Sequence, residues 1–194
     1  MKKGYYDTVQ ISSKYRGEIL NVAIFLEKQL DTYIMNYFIG SDKNKRTEFT
    51  LFLLGTIKVG FQTKKEIFEH IATTYDADWL KTYKPVREIN PESKNKSKVQ
   101  YHTLFSDLQY IIQQRNMVAH GVLDISKNAL EKDLDVITLI RHSDSKSFEL
   151  TQKEMWKLTY LADAISLFIL AKNNSVMQAS SSGSVDPSEA STAP

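Results

Sequence analysis

The chain has 194 residues, enough for one domain with a sizeable buried core. It contains no cysteine, which excludes disulfides, thiolate zinc sites and cysteine nucleophiles together. A formal charge of +2 is too small to argue for nucleic acid by itself, so any such contact must draw on local charge.

No apolar run reaches the length of a membrane span. Lys2 and Lys3 are not followed by the apolar segment of a secretory signal. A cytoplasmic protein without membrane contact is the expectation. Residues 1–13 are polar and aromatic, an ordered strap or a frayed arm. From about Lys14 to Phe38 an apolar stripe through Ile19, Ala23, Leu26, Leu30, Ile34 and Phe38 predicts a long amphipathic helix ended by Gly40-Ser41. Thr47 to Val59 is apolar on most sides and predicts a buried helix. Thr63 and Glu66 have the spacing of a capping box, opening a helix through Ile67, Phe68, Ile71 and Tyr75. Asp76 to Lys84 holds a short helix around Trp79 and Leu80.

Residues 85–98 carry two prolines and no apolar period, so they form a loop. Lys81 to Lys98 holds six basic residues against two acids. Lys94, Lys96 and Lys98 are therefore candidate RNA-guiding residues, although a solvated lysine-rich loop is the plainer reading.

The next helix occupies Tyr101 to Gly121. Tyr101, Leu104, Leu108, Ile111, Ile112 and Ala119 fall on one side at core-facing spacing. Arg115 falls in the middle of that stripe, where a leucine is expected. A guanidinium left dry and unpaired costs several kcal/mol or more. Either the helix is open there to a ligand or partner, or a carboxylate meets the arginine. Glu18, Glu27 and Asp31 of the first helix are the first candidates. The opposite side lines up His102, Gln109, Gln113, Asn116 and His120, with Asn116 and His120 an i,i+4 pair. Arg115 and His120 are splayed by about 140° on a regular helix. They suit an elongated group, or pairing with a second chain, better than one small ion. Gly121 is expected to leave the helix in the left-handed conformation.

Beyond Gly121 the period shortens. Val122–Ile125, Val136–Ile140 and Phe148–Leu150 read as short strands, with a turn at 143–146. Thr151 and Glu154 form a second capping box. It opens a final helix through Met155, Leu158, Leu161, Ile165 and Ile169 that ends near Lys172–Asn174. Residues 175–194 are rich in Ser, Ala and Pro and are expected to be disordered. The resulting division is one helical domain over 1–174, with a β insertion at about 122–150, and a tail.

Arg115-Asn116-x-x-x-His120-Gly121 near the end of an amphipathic helix resembles the Arg-(x)4–6-His signature of the HEPN superfamily. The likeness in helix pattern extends over roughly residues 14–172. It implies an all-α, up-and-down bundle with a small β-hairpin insertion before the last helix. Many members of that superfamily are metal-independent endoribonucleases acting as homodimers, with motif residues of both chains lining one cleft; others only bind. The implied catalytic residues are Arg115, Asn116 and His120, with Gln113 one turn upstream reaching sugar or base. RNA is the implied substrate, a second copy through the motif helix the implied partner, and a neutralising or regulatory protein a further one. Toxin members paired with a nucleotidyltransferase antitoxin carry a tyrosine two residues after the motif histidine. Val122 stands there instead, so regulation by AMP transfer is not implied.

The residues themselves fit that chemistry. An imidazole beside an always-charged guanidinium is the minimum kit for cleaving RNA without metal. No phosphate-binding glycine loop, Gly-x-Ser-x-Gly or His-Glu-x-x-His is present, and no cofactor or metal is expected. His70, His102 and His142 read as ordinary. The competing reading is a non-catalytic regulatory or protein-interaction module in which Arg115 is paired and His120 closes a helix end.

Overall fold

A computed structural model of the chain describes residues 4–55, 59–88, 102–142 and 144–182, with backbone alone at 177 and 179–182. It is mostly helical, with one small antiparallel sheet. No helix among the described residues is long and apolar enough to cross a membrane.

Helix α1 runs from Tyr5 to Phe38, beginning nine residues before the expected start at Lys14. The periodicity is masked there because the buried positions are polar, Thr8 and Ser12. Local hydrogen bonds support the early start. The Gly4 amide donates to the Asp7 carboxylate at 2.9 Å, and the Thr8 hydroxyl donates to the Gly4 carbonyl at 3.1 Å. As expected, Gly40 closes the helix. It sits at φ 64°, which glycine adopts without steric cost, and Arg46 donates to its carbonyl at 2.6 Å.

Helix α2, Lys43–Phe49, continues as a π-helical turn over Thr50–Leu54. The buried helix expected over Thr47–Val59 is corrected: among its described residues only Leu54 is buried, while Leu51 and Phe52 are 65% and 77% exposed. Composition alone does not tell a core segment from an apolar surface. Helix α3 spans Phe61–Tyr75 with Gly60 at its N-cap, so Thr63 lies inside it and the expected box does not form. Glu66 instead accepts from Gln62 at 2.8 Å. Helix α4, Ala77–Leu80, is the short helix expected around Trp79.

Helix α5 runs from Leu104 to His120, with the Thr103 hydroxyl accepting from the Ser106 amide. Tyr101 lies outside the described residues. Three strands follow, β1 Gly121–Leu123, β2 Ile137–Arg141 and β3 Ser147–Leu150, with a short helix α6, Lys127–Leu130, between the first two. They form a sheet in the order β1-β2-β3, Gly121 opposite Arg141 and Ile137 opposite Leu150. The expected insertion is thus three-stranded. Thr151 and Glu154 make the reciprocal box: the Glu154 amide donates to the Thr151 hydroxyl at 3.2 Å, and the Thr151 amide to the Glu154 carboxylate at 3.0 Å. Helix α7 then extends from Gln152 to Ser182, eight residues into the stretch expected to lack structure; residues 183–194 lie outside the described ones.

Two apolar clusters hold these elements. Leu26, Leu30 and Ile34 of α1, Phe68 and Ile71 of α3, Leu108 and Ile111 of α5, and Leu161 and Ile165 of α7 form the larger. The second joins the sheet to the helices through Tyr15, Ile19, Val118, Ile137, Leu139 and Met155. Tyr110 of α5 packs against both, so the helix carrying Arg115 and His120 spans the junction.

Candidate functional site

The start of α5 is pinned by a buried carboxylate that the sequence pattern did not single out. Asp107 is fully buried and accepts from the Arg87 Nε at 2.8 Å and the Tyr83 hydroxyl at 3.1 Å. The Arg87 guanidinium also lies 4.1 Å from the centre of the Tyr110 ring, a cation–π contact. Burial, with the Asp107 charge beside it, pushes the Tyr83 hydroxyl well above its ordinary pKa. Arg87, counted among the loop's free cations, is therefore a structural anchor. Lys81 is likewise paired with Asp78, although that surface pair is exposed. The His102 amide donates to the Arg87 carbonyl at 2.9 Å, so the chain leaves and returns at this end of α5. Lys94, Lys96 and Lys98 lie outside the described residues. Their flanks are fixed roughly 24 Å along the helix axis from His120, at 1.5 Å per residue.

The other end of α5 is arranged differently. Arg115 is half-buried, and its Nη1 donates to the Oδ1 of Asn116 at 3.0 Å. Among the described residues no carboxylate is within ion-pair distance of it. The acids expected to meet it are otherwise engaged. Glu18 is 4.0 Å from Lys14, and Glu27 and Asp31 both hold Lys64, at 2.8 and 2.9 Å. Lys64 is 4% exposed. Burial works against its charge, but the two carboxylates outweigh that and hold its pKa above the ordinary lysine value. The same burial lifts Asp31 above the usual carboxylate range in spite of Lys64. Lys64 thus takes the carboxylates of α1 and leaves the guanidinium next to them with a neutral partner. Lysine on an otherwise polar helix face gave no sequence signal of this.

Asn116 separates two recesses. Arg115 opens into one with Glu27, Asp31, Lys64 and Ile112. His120 opens into the other with Gln113, Gln114, Met117 and Arg141, about 590 Å³, in the range of small-ligand pockets. Asn116 lines both, so the predicted residues share one surface while Arg115 and His120 face different hollows, as their splay requires. Gln113, Asn116 and His120 are exposed.

Gly121 departs from expectation. It is extended, at φ −72° and ψ 139°, and enters β1 directly. A Cβ there would meet the Met117 carbonyl oxygen at 2.6 Å and the Leu139 Cβ at 3.2 Å, so glycine is required by close approach instead of by handedness. The Arg16 guanidinium donates to the Gly121 carbonyl at 2.7 Å, tying α1 to this corner. Arg141, exposed on β2, reaches back over α5, with its Nη2 3.7 Å from the Met117 sulfur.

Comparison with protein-family models, curated proteins and solved structures finds no match for this chain.

Proposed function

We propose that the chain is a HEPN-like endoribonuclease that cleaves RNA without metal as a homodimer, in toxin action or phage defence. The observation that carries this reading is the state of Arg115: a half-buried cation, bonded to an amide, beside two carboxylates that a neighbouring lysine has already taken. A guanidinium kept merely for stability would be matched by one of those acids.

A second copy related by a twofold axis near Asn116 places its own His120 opposite Arg115. Two imidazoles then serve one phosphate. One takes the proton of the ribose 2′-hydroxyl, whose oxygen forms the new bond to phosphorus. The other, protonated, delivers a proton to the departing 5′-oxygen as the P–O5′ bond breaks. Arg115 stabilises the charge that builds on the phosphorane oxygens, and Asn116 fixes the guanidinium's direction. Gln113, at the rim of the His120 recess, faces sugar or base, and Lys94, Lys96 and Lys98 guide the strand. The products are a 5′-hydroxyl and a 2′,3′-cyclic phosphate, which opens to a 3′-phosphate.

The purified protein is expected to cut single-stranded RNA in EDTA and to leave a 2′-deoxy substrate intact. His120→Ala and Arg115→Ala should each lower cutting by roughly 10²–10⁴-fold. A requirement for magnesium, or full activity surviving both substitutions, overturns the reading. One observation favours the alternative of a non-catalytic interaction module: Phe38, Leu51 and Phe52 expose an apolar face of a kind that partners cover. Toxicity on expression that vanishes with His120→Ala separates the two.

A further inference from the structure

We infer that Arg141 is a second phosphate-binding cation of this site, holding the RNA strand on the His120 side; this rests on the nuclease reading above. The register of the sheet sets Arg141 directly opposite Gly121, the residue after His120. Its side chain is folded back over the last turn of α5, Nη2 against the Met117 sulfur at 3.7 Å, so the guanidinium lines the same recess as His120 and Gln113. Among the described residues its one acidic neighbour is Asp144 in the β2–β3 turn, with Nη1 and Oδ2 3.4 Å apart and the Arg141 side chain 46% exposed. A pair that open to solvent is weak and gives way to a better acceptor. Asp144 is also close to Lys146, at 3.9 Å, so the turn as a whole leans positive.

Arg115 lies in the other recess, across Asn116. A strand passing over Asn116 thus meets one guanidinium on each side of that amide, with the imidazole in the same recess as Arg141. The role fits a phosphodiester and not a carboxylate-bearing metabolite, because the two cations lie in different recesses along an open surface. A small anion would touch one or the other.

The test uses the full chain carrying His120→Ala, which slows RNA cutting, and a fluorescent single-stranded RNA of mixed sequence. Affinity is followed by anisotropy as salt rises from about 50 to 200 mM. Losing one phosphate contact on a single strand should lower the slope of log K against log salt by about 0.7. Arg141→Gln is expected to do this and to weaken binding several-fold at low salt, with unchanged helical circular dichroism. Arg141→Lys should restore the slope. An unchanged slope with Arg141→Gln, or a slope that Arg141→Lys fails to restore, overturns this inference alone. Absence of RNA binding by the His120→Ala parent overturns the nuclease reading and this one with it.

Discussion

An arginine stands at each end of α5, one reaching it from the preceding segment and one on the helix itself, and the two are treated in opposite ways. At the N-terminal end Arg87 meets a fully buried aspartate, shares it with a tyrosine hydroxyl and sits over the Tyr110 ring. At the C-terminal end Arg115 has Asn116 as its one partner among the described residues, although Glu27 and Asp31 line the same recess. A matched ion pair fixes a fold, while a guanidinium bonded to an amide keeps its charge available to an incoming anion. The contrast gives one end of the helix a matched, buried ion pair and the other an unmatched guanidinium, which is where the proposed function puts its chemistry.

Four measurements can break or sharpen that contrast. The largest effect is expected at the open end: Arg115→Ala or His120→Ala should lower the rate of RNA cleavage by roughly 10²–10⁴-fold while leaving the thermal midpoint nearly unchanged. Equal losses of activity and stability would erase the distinction. Next comes Asp107→Ala, which leaves Arg87 and Tyr83 without their shared acceptor. Breaking a buried pair of this kind costs about 3–5 kcal/mol, to be read from urea unfolding.

Lys64→Met should cost somewhat less, about 3 kcal/mol, because Glu27 and Asp31 keep partial access to water. Its sharper consequence is on activity. With the lysine gone, the two carboxylates are free to turn to Arg115, and cleavage should fall although no motif residue is altered. Activity kept at the wild-type level would mean that Lys64 does not guard the arginine.

The smallest effect at neutral pH concerns the tyrosines. Burial raises the hydroxyl pKa values of Tyr15, Tyr33, Tyr83 and Tyr110 above the ordinary value near 10. The folded state therefore keeps protons that the unfolded chain loses. The stability these groups contribute is complete below about pH 10 and is lost as pH rises beyond it. The share of tyrosinate absorbance due to these four should appear only together with unfolding, beyond that of exposed tyrosines such as Tyr6 and Tyr160; full tyrosinate absorbance reached before unfolding would show the four hydroxyls to be accessible.

Features that depend on neighbours in sequence were legible in advance. Gly40 ends α1, Thr151 and Glu154 cap α7, and alternating short runs become the three strands. Arg115, Asn116 and His120 could likewise be placed on one helix from spacing alone. What depended on distant partners was not legible. Lys64 gave no signal of its own within the expected Thr63–Glu66 box and is buried with two acids of α1 paired to it. Asp107 looked polar and is the most enclosed charge described. The apolar run over Thr47–Val59 read as core, since nothing local reveals that no described element covers Leu51 and Phe52. Arg141 enters the His120 recess only through strand register, twenty-one residues downstream.

Gly121 leaves no slack between helix and sheet. A methyl group there would collide with the Met117 carbonyl, and the Arg16 guanidinium clamps the carbonyl on the other side. The imidazole is consequently aimed by the hairpin as much as by the bundle. The β insertion works as a gunsight: β1 is paired to β2 with Gly121 opposite Arg141, so on the proposed reading a displacement of the sheet would carry His120 and Arg141 with it and misalign the reaction.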